Sequence, residues 1–549
     1  MRLRLALAFC TLSVAAMTAQ TSDMRTRAEI TNYEETSTYA DVTRVIDGLV
    51  ATSKLVHTES FGKTEEGRDL PLMVISDPKV TTPAAARKLG RPVVFVQANI
   101  HAGEVEGKEA VLILARRLVS GDLRPLTRQL VLMIAPDYNA DGNEKVNVAN
   151  RTAQYGPVAG VGTRENGKGL DLNRDYIKLD SAEARSLVGL FNKWDPHVIV
   201  DLHTTNGSYH ANHLTYSPIL NPNADARLIE FTRERMLAPI RQTMLKTHNW
   251  RTYYYGNFAP EDGGGRESSR VDPANPGNVS WRTFDHRPRY GNNYAGLRNR
   301  IAILSEAYSY LDFKGRVEVT ENFVEEIWKN AAANAKQIMT LTAQADRVFT
   351  APAGKPVELG VDIQIQALPE RVEIMVGDVT KVPNPRSGRD MLAMAPLAVP
   401  VLMKDYGVFA ATRSLPMPKG WLLPAALASR YPVALDRLRS HGVRVQELAA
   451  DAQVAVERFS ITDITRAPKP FQGHQETRLK GTFDKAQLTV QAGSWYVPAN
   501  QPLARLAFYL LEPESDDGLV TWNYIDEGVS VGQTYPVYRV IDATRIKTR

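Results

Sequence analysis

The 549-residue sequence holds a single cysteine, Cys10, and Cys10 lies inside an N-terminal stretch that reads as an export signal. Arg2 and Arg4 precede an apolar run over 5–17, and small residues follow, with Ala19 placed to be the last residue before cleavage. That run is too short to span a membrane, and the positive-then-apolar order is that of a secretory signal over 1–19. The mature chain is then without thiols. This excludes disulfides, a cysteine nucleophile and a thiolate-held metal, so any metal must be bound by imidazole and carboxylate. No second apolar stretch approaches membrane-spanning length, and the mature protein is expected in the periplasm or outside the cell. A Lys/Arg block is also missing. The net charge of +5 is small for the length, and nucleic acid is not implied as a partner. Internal repeats and low-complexity tracts are absent.

What is present is an ordinary globular composition, 43% hydrophobic and 23% charged, over a length that calls for more than one core. From about 25 to 345, short β-branched apolar runs alternate with helical patterns. Runs at 92–100, 129–135, 197–202 and 301–304 read as buried strands, and 107–118 reads as a helix. The fold class is α/β, with a mixed, largely parallel central sheet flanked by helices. A stretch rich in Gly, Pro and Asn, 257–293, has little to bury and is expected to run over the surface. A helical pattern over 319–346 closes this part, and 351–356 reads as a linker. Beyond it the texture changes to short alternating strands (372–376 and 487–491) with one helical stretch at 432–441. The expected organisation is a signal at 1–19, a catalytic domain over 24–350, and a mainly β region of one or two domains over 357–549.

Two histidines follow predicted strands, where open α/β sheets gather functional groups. His101 heads the motif His101-Ala102-Gly103-Glu104, and His203 lies in Asp201-Leu202-His203-Thr204-Thr205-Asn206-Gly207. One turn can aim His101 and Glu104 at the same ion, and His203 could complete the set. Two imidazoles, one carboxylate and a position left for water form a catalytic zinc arrangement, as opposed to a closed structural one. Each motif alone equally fits a structural or surface residue. A third element, Gly169-Leu170-Asp171-Leu172-Asn173-Arg174-Asp175, packs an acid, an amide and a guanidinium into four positions of a loop.

In this order, and with the late strand ending in Ser305-Glu306, the motifs over about 30–345 resemble the zinc carboxypeptidases related to carboxypeptidase A. The resemblance implies one Zn²⁺ per chain, held by His101, Glu104 and His203. It implies that Asp171 orients the first histidine, and that Asn173 and Arg174 grip a substrate's terminal carboxylate, a task suited to the planar fork of an arginine. Glu306 is the implied general base. Arg164, ten residues before Arg174, matches the arginine that polarises the scissile carbonyl, and Arg151 is the alternative for that role. Tyr294, or Tyr290, would stand for the tyrosine that closes over substrate. The partner is then a peptide with a free C-terminal carboxylate.

The sequence departs from the pancreatic type at Ala102-Gly103, where one substrate-binding arginine is missing, and at Asp175. His197, His210, His213 and His286 remain without a role, although His210 and His213 could line the cleft. Two other readings stay open. One is a zinc deacylase or murein-peptide amidase, with an arginine cluster over 282–300 favouring acidic substrates. The other is a binding protein without activity.

Overall fold

The computed structural model describes residues 23–262, 267–351 and 357–549. The expected signal, 1–19, and most of the expected linker lie outside the described residues. Ten strands precede residue 310: β1 Val56–Lys63, β2 Asp69–Ile75, β3 Val93–Ala98, β4 Val131–Ala135, β5 Val198–Thr205, β6 Leu214–Ser217, β7 Thr252–Tyr254, β8 Asn257–Pro260, β9 Val279–Arg282 and β10 Ile301–Tyr308. Eight of them form one twisted layer in the order β1-β2-β4-β3-β5-β10-β6-β7. Pairing is parallel for β4-β3-β5-β10 and for β6-β7, and antiparallel at β1-β2, β2-β4 and β10-β6. The sheet is mixed, as expected.

Every residue of β3, β4 and β5 is buried. Strands covered on both faces must be apolar throughout, which is why these segments read as unbroken runs. Helices Tyr39–Thr52 and Phe313–Ala333 each pack on helix Glu106–Ser120, while helix Ala182–Trp194 packs against β1. The closing helical pattern is two helices, Phe313–Ala333 and Ala335–Arg347, broken at Asn334 where φ −106° and ψ 19° leave the helical region.

The stretch 257–293 differs from expectation. It holds β8 and β9, whose Phe258 and Trp281 are fully buried with Ile374, Val376, Val401 and Met403 from the C-terminal part. β9 pairs in parallel with Val399–Tyr406, matching Ser280 with Lys404 and Arg282 with Tyr406. A sheet drawn from both halves of the sequence results. Gly256 makes this packing possible, since a Cβ there would lie 2.5 Å from the Trp281 indole nitrogen.

The C-terminal part is mainly β. Its largest sheet has six strands and is built around the long hairpin Ala452–Arg466 and Thr477–Val490. Two of its helices, Pro432–Ser440 and Ala504–Leu511, pack on the α/β layer, against helix Ala182–Trp194 and helix Gly291–Leu297 respectively. The largest apolar cluster runs without interruption from Val42 to Val537. The change in sequence texture near 350 therefore does not mark a break in the core.

Candidate metal centre

β3 ends in a sharp reversal. Asn99 takes a positive φ of 66° and its amide donates to Asp137 (2.7 Å) and Asn143 (3.1 Å). The amide of Glu104 then bonds the carbonyl of His101 at 2.9 Å, a tight turn that sends both side chains to one side. His203 lies on β5, in register with Glu306 on the parallel neighbour β10. Two adjacent strands and one turn thus bring all four groups to the carboxyl edge of the sheet.

The Nδ1 atoms of His101 and His203 face each other at 3.3 Å. His203 Nδ1 is 3.0 Å from one Glu104 oxygen, and His101 Nδ1 is 3.2 Å from the other. Behind them, His101 Nε2 lies 3.0 Å from Asp171 Oδ1, and His203 Nε2 lies 3.0 Å from Asp201 Oδ2. Asp171 behind the His101 ring fixes its N–H on Nε2 and leaves Nδ1 with its lone pair, and Asp201, at ion-pair distance from the outer nitrogen of His203, favours the same arrangement there. Two imidazole lone pairs and a carboxylate then converge, all buried, with their ligand atoms within 4.8 Å of one another. Like-natured acceptors so close are reconciled by a shared cation, and a set of two histidines and one glutamate suits zinc.

Protons on the rings can serve the same carboxylates in place of a cation: burial resists ionisation of Glu104, but the charges of a protonated His101 and of Arg151, with hydrogen bonds from both histidines, hold it well below the usual carboxylate range. Asp171 is likewise held well down against its burial, by its bond to His101 and by the charges of His101, Arg164 and Arg174.

Glu306 is the one partly exposed residue of β10 because it faces the cleft. The cleft is deep enough that burial pushes its carboxyl up to about 8; His203, Arg151 and Arg164 oppose this shift, and Glu104 adds to it. A dication beside it would draw that value down.

Both candidate oxyanion arginines line the cleft. Arg151 is largely engaged: it donates to Glu104 (3.0 Å), to the Thr204 carbonyl (3.1 Å) and to Gln154 (2.9 Å). Arg164 donates to Asp171 at 2.9 Å, keeps Nη1 3.7 Å from Glu104, and leaves more than a third of its side chain exposed. Asp171 also caps the turn Leu172–Arg174, which directs Asn173 and Arg174 into the cleft. Asn173 accepts from the amide of Gly291 (3.3 Å), and the Arg174 guanidinium stacks 4.2 Å over the ring of Tyr290.

The cleft has a volume of about 350 Å³. Tyr290 lines it and Tyr294 does not. Tyr294 sits one helical turn further on, fully buried, with its hydroxyl 2.8 Å from His441 Nδ1. His210 and His213 also lie outside the cleft. His210 stacks on Tyr308 at 4.1 Å, and His213 accepts the amide of Arg251 at 3.0 Å. The arginines of 282–300 neither line the cleft nor face solvent as a cluster. Arg289 and Arg300 are buried in ion pairs with Asp517 and Asp195, and Arg298 bonds Asn192 and a carbonyl.

Several cleft residues carried no role in the sequence: Tyr255, Asn257, Glu267 and Phe284, and Asp201 behind the metal group. Only Asp201 had a signal. It precedes His203 by two on a strand, so both side chains point to the same face.

An α/β sheet that gathers two imidazoles and a carboxylate at its carboxyl edge, beside an acid and facing a pair of arginines, has the layout of a metallohydrolase. Residues 42–205 match the family described as zinc carboxypeptidase. Carboxypeptidase 2 of Trichophyton rubrum is 23% identical over 511 residues, 89% of this chain and 84% of the relative. An alignment of that length extends well into the C-terminal part. Carboxypeptidase Z of Mus musculus is 33% identical over 150 residues, 26% of this chain and 22% of that protein. Among solved structures, a putative carboxypeptidase A from Shewanella denitrificans aligns at TM-score 0.39 and 18% identity, covering 55% of this chain and 69% of the other.

Proposed function

We propose that this chain is an exported metallocarboxypeptidase, with one zinc per chain, that releases single residues from the free C-terminus of peptides. The observation that carries this reading is one cleft lined by the His101-Glu104-His203 group, Glu306, and the Asn173-Arg174 pair. Export rests on the order of charge and apolar residues over 1–19. Among the described residues no helix is long and apolar enough to cross a membrane.

His101, Glu104 and His203 would hold the zinc, which when bound would supply Lewis acidity toward water and a substrate carbonyl. Glu306 accepts the proton of the attacking water on its carboxylate and passes it to the leaving amine. The free edge of the Arg164 guanidinium donates to the oxygen on which negative charge develops, with Arg151 steadying Glu104 behind it. Asn173 and Arg174 receive the terminal carboxylate and hold the scissile bond in place. Asp171 and Asp201 keep the two histidine rings oriented.

The test is a C-terminally varied peptide library incubated with purified protein, with and without chelator, and read by mass spectrometry. Chelator-sensitive loss of single C-terminal residues is expected. Internal cuts, or release of acyl groups only, would refute the reading. In the same assay Glu306→Gln should keep its zinc while turnover falls by about a hundredfold to ten-thousandfold. Near-normal turnover in that variant would remove Glu306 from the role.

A further inference from the structure

The two walls of the cleft that would receive a substrate carboxylate are both fastened from the C-terminal part. One wall is the segment 173–180, which carries Asn173 and Arg174. The other is 284–291, which carries Phe284 and Tyr290. They touch directly through Asn173 with the Gly291 amide and through Arg174 on Tyr290. Neither contact is strong enough to fix two loops, so what lies behind them matters.

Behind the first wall, Lys178 is wholly buried. It pairs with Asp175 at 3.2 Å and donates to Gln472 at 3.0 Å. Asp180, two residues on, meets His474 at 2.8 Å and accepts from the Tyr524 hydroxyl. Behind the second wall, Asp517 is fully buried and accepts two hydrogen bonds from Arg289, from its amide at 2.7 Å and from Nε at 2.9 Å, with Nη2 at an ion-pair distance of 2.8 Å. Glu476 takes the other edge of the same guanidinium at 2.7 Å.

Trp522 joins the two sets. Its ring is fully buried, with Lys178 Nζ 5.3 Å from its centroid and the Arg289 guanidinium 4.4 Å from it. Its indole N–H donates to Asp517 at 3.0 Å. One aromatic side chain thus contacts a cation from each wall and braces the carboxylate that holds one of them.

We infer that Trp522, with Asp517, is a positioning residue for the carboxylate-binding end of the cleft, and that the C-terminal part is a working half of the substrate site. The inference rests on the carboxypeptidase reading for its substrate. Trp522 touches neither the metal group nor the cleft. Its loss should therefore let the two walls drift apart and weaken capture of the terminal carboxylate, leaving the metal and Glu306 in place.

The experiment compares Trp522→Leu and the milder Trp522→Phe, which keeps an aromatic face but loses the N–H bond to Asp517 and part of the ring, with Val454→Ala in a separate apolar cluster of the C-terminal part. All are made in the full chain and loaded with zinc. KM and kcat are measured on a peptide with a free C-terminus and on its C-terminal amide, and backbone hydrogen exchange is followed over 173–180 and 284–291. Trp522→Leu should raise KM about tenfold with kcat changed by less than about threefold, narrow the preference over the amide, and speed exchange in both walls. Trp522→Phe should fall between it and the parent, and Val454→Ala should do none of this. Unchanged KM and unchanged exchange in a zinc-loaded Trp522 variant would overturn the inference, as would equal effects from Val454→Ala. If Trp522→Leu fails to accumulate, Trp522→Phe decides by the same measures. If the parent protein cleaves no peptide, the carboxypeptidase reading fails, and the exchange in both walls still decides whether Trp522 holds them.

Discussion

Asp201 and Asp171 stand behind the two histidines at equal distances of 3.0 Å, yet they arrive there differently. Asp171 belongs to a polar loop, where its bond to His101 and the guanidinium of Arg164 offset its burial. Asp201 is buried in the middle of a strand whose eight residues are all buried, a place where an unpaired carboxylate would be expensive. Its position is explained by the ring it faces. Asp201→Asn should therefore preserve the fold and weaken zinc binding by about tenfold to a hundredfold, as loss of such a partner does elsewhere. Competition with a fluorescent chelator measures this, and an unchanged affinity would show that Asp201 does not tune the metal. The convergence of His101, Glu104 and His203 was legible in the sequence because they lie at or just past strand ends in recognisable spacings. Asp201 was not singled out because a lone acid in an apolar run draws the eye to the run. Tyr294 was misplaced for a related reason: spacing along the chain says nothing of which side of a short helix meets the core.

The elements that were legible and those that were not divide by burial. β3, β4, β5 and β10 are covered on both faces and so appear as continuous apolar runs. β8 and β9 are four residues each and bury only two apiece, and they sit among glycines and prolines. A pattern that short cannot be told from a loop by periodicity. Their pairing partner, Val399–Tyr406, lies more than a hundred residues further on and gives no local sign. Yet Trp281 is among the largest fully buried side chains. Trp281→Ala should destabilise the protein by about 3–5 kcal/mol, by loss of burial and the cavity left behind. Denaturant unfolding would show it, and a loss below about 1 kcal/mol would mean that this sheet contributes little to stability.

For the whole molecule, the balance of buried titratable groups sets the response to acid. Burial is the first cause that holds His197 and His213 down to about 4, and His210 and His441 down to about 3. In the unfolded chain each titrates near 6.5. Above that pH both states are neutral and the groups have no effect. As pH falls below it the unfolded chain gains protons that the folded one refuses, and stability is lost until the folded values are reached. Asp137 and Asp405, pushed up to about 6 mainly by burial, act in the opposite sense. They take protons first in the folded state and add stability as pH falls from about 6 towards 3.8. Glu306, pushed up to about 8, acts in the same sense as the aspartates, and between pH 7 and 5 the four histidines outweigh these three carboxylates, so the metal-free protein should melt at a lower temperature near pH 5 than near pH 7. Calorimetry in the presence of chelator checks this, and an equal or higher melting temperature near pH 5 would contradict the assignment of these histidines as buried and neutral.

The sheet shared by β8, β9 and the strand Val399–Tyr406 has one more consequence, for biosynthesis. A polypeptide leaves the ribosome from its N-terminus, so every metal ligand has emerged well before the strand that completes this sheet and before Trp522. Until then Phe258 and Trp281 lack Ile374, Val376, Val401 and Met403, which complete their cluster, and the walls of the cleft lack Asp517 and Trp522 behind them. The nascent chain thus presents His101, Glu104, His203 and Glu306 before the segments that lie behind the cleft walls have been made.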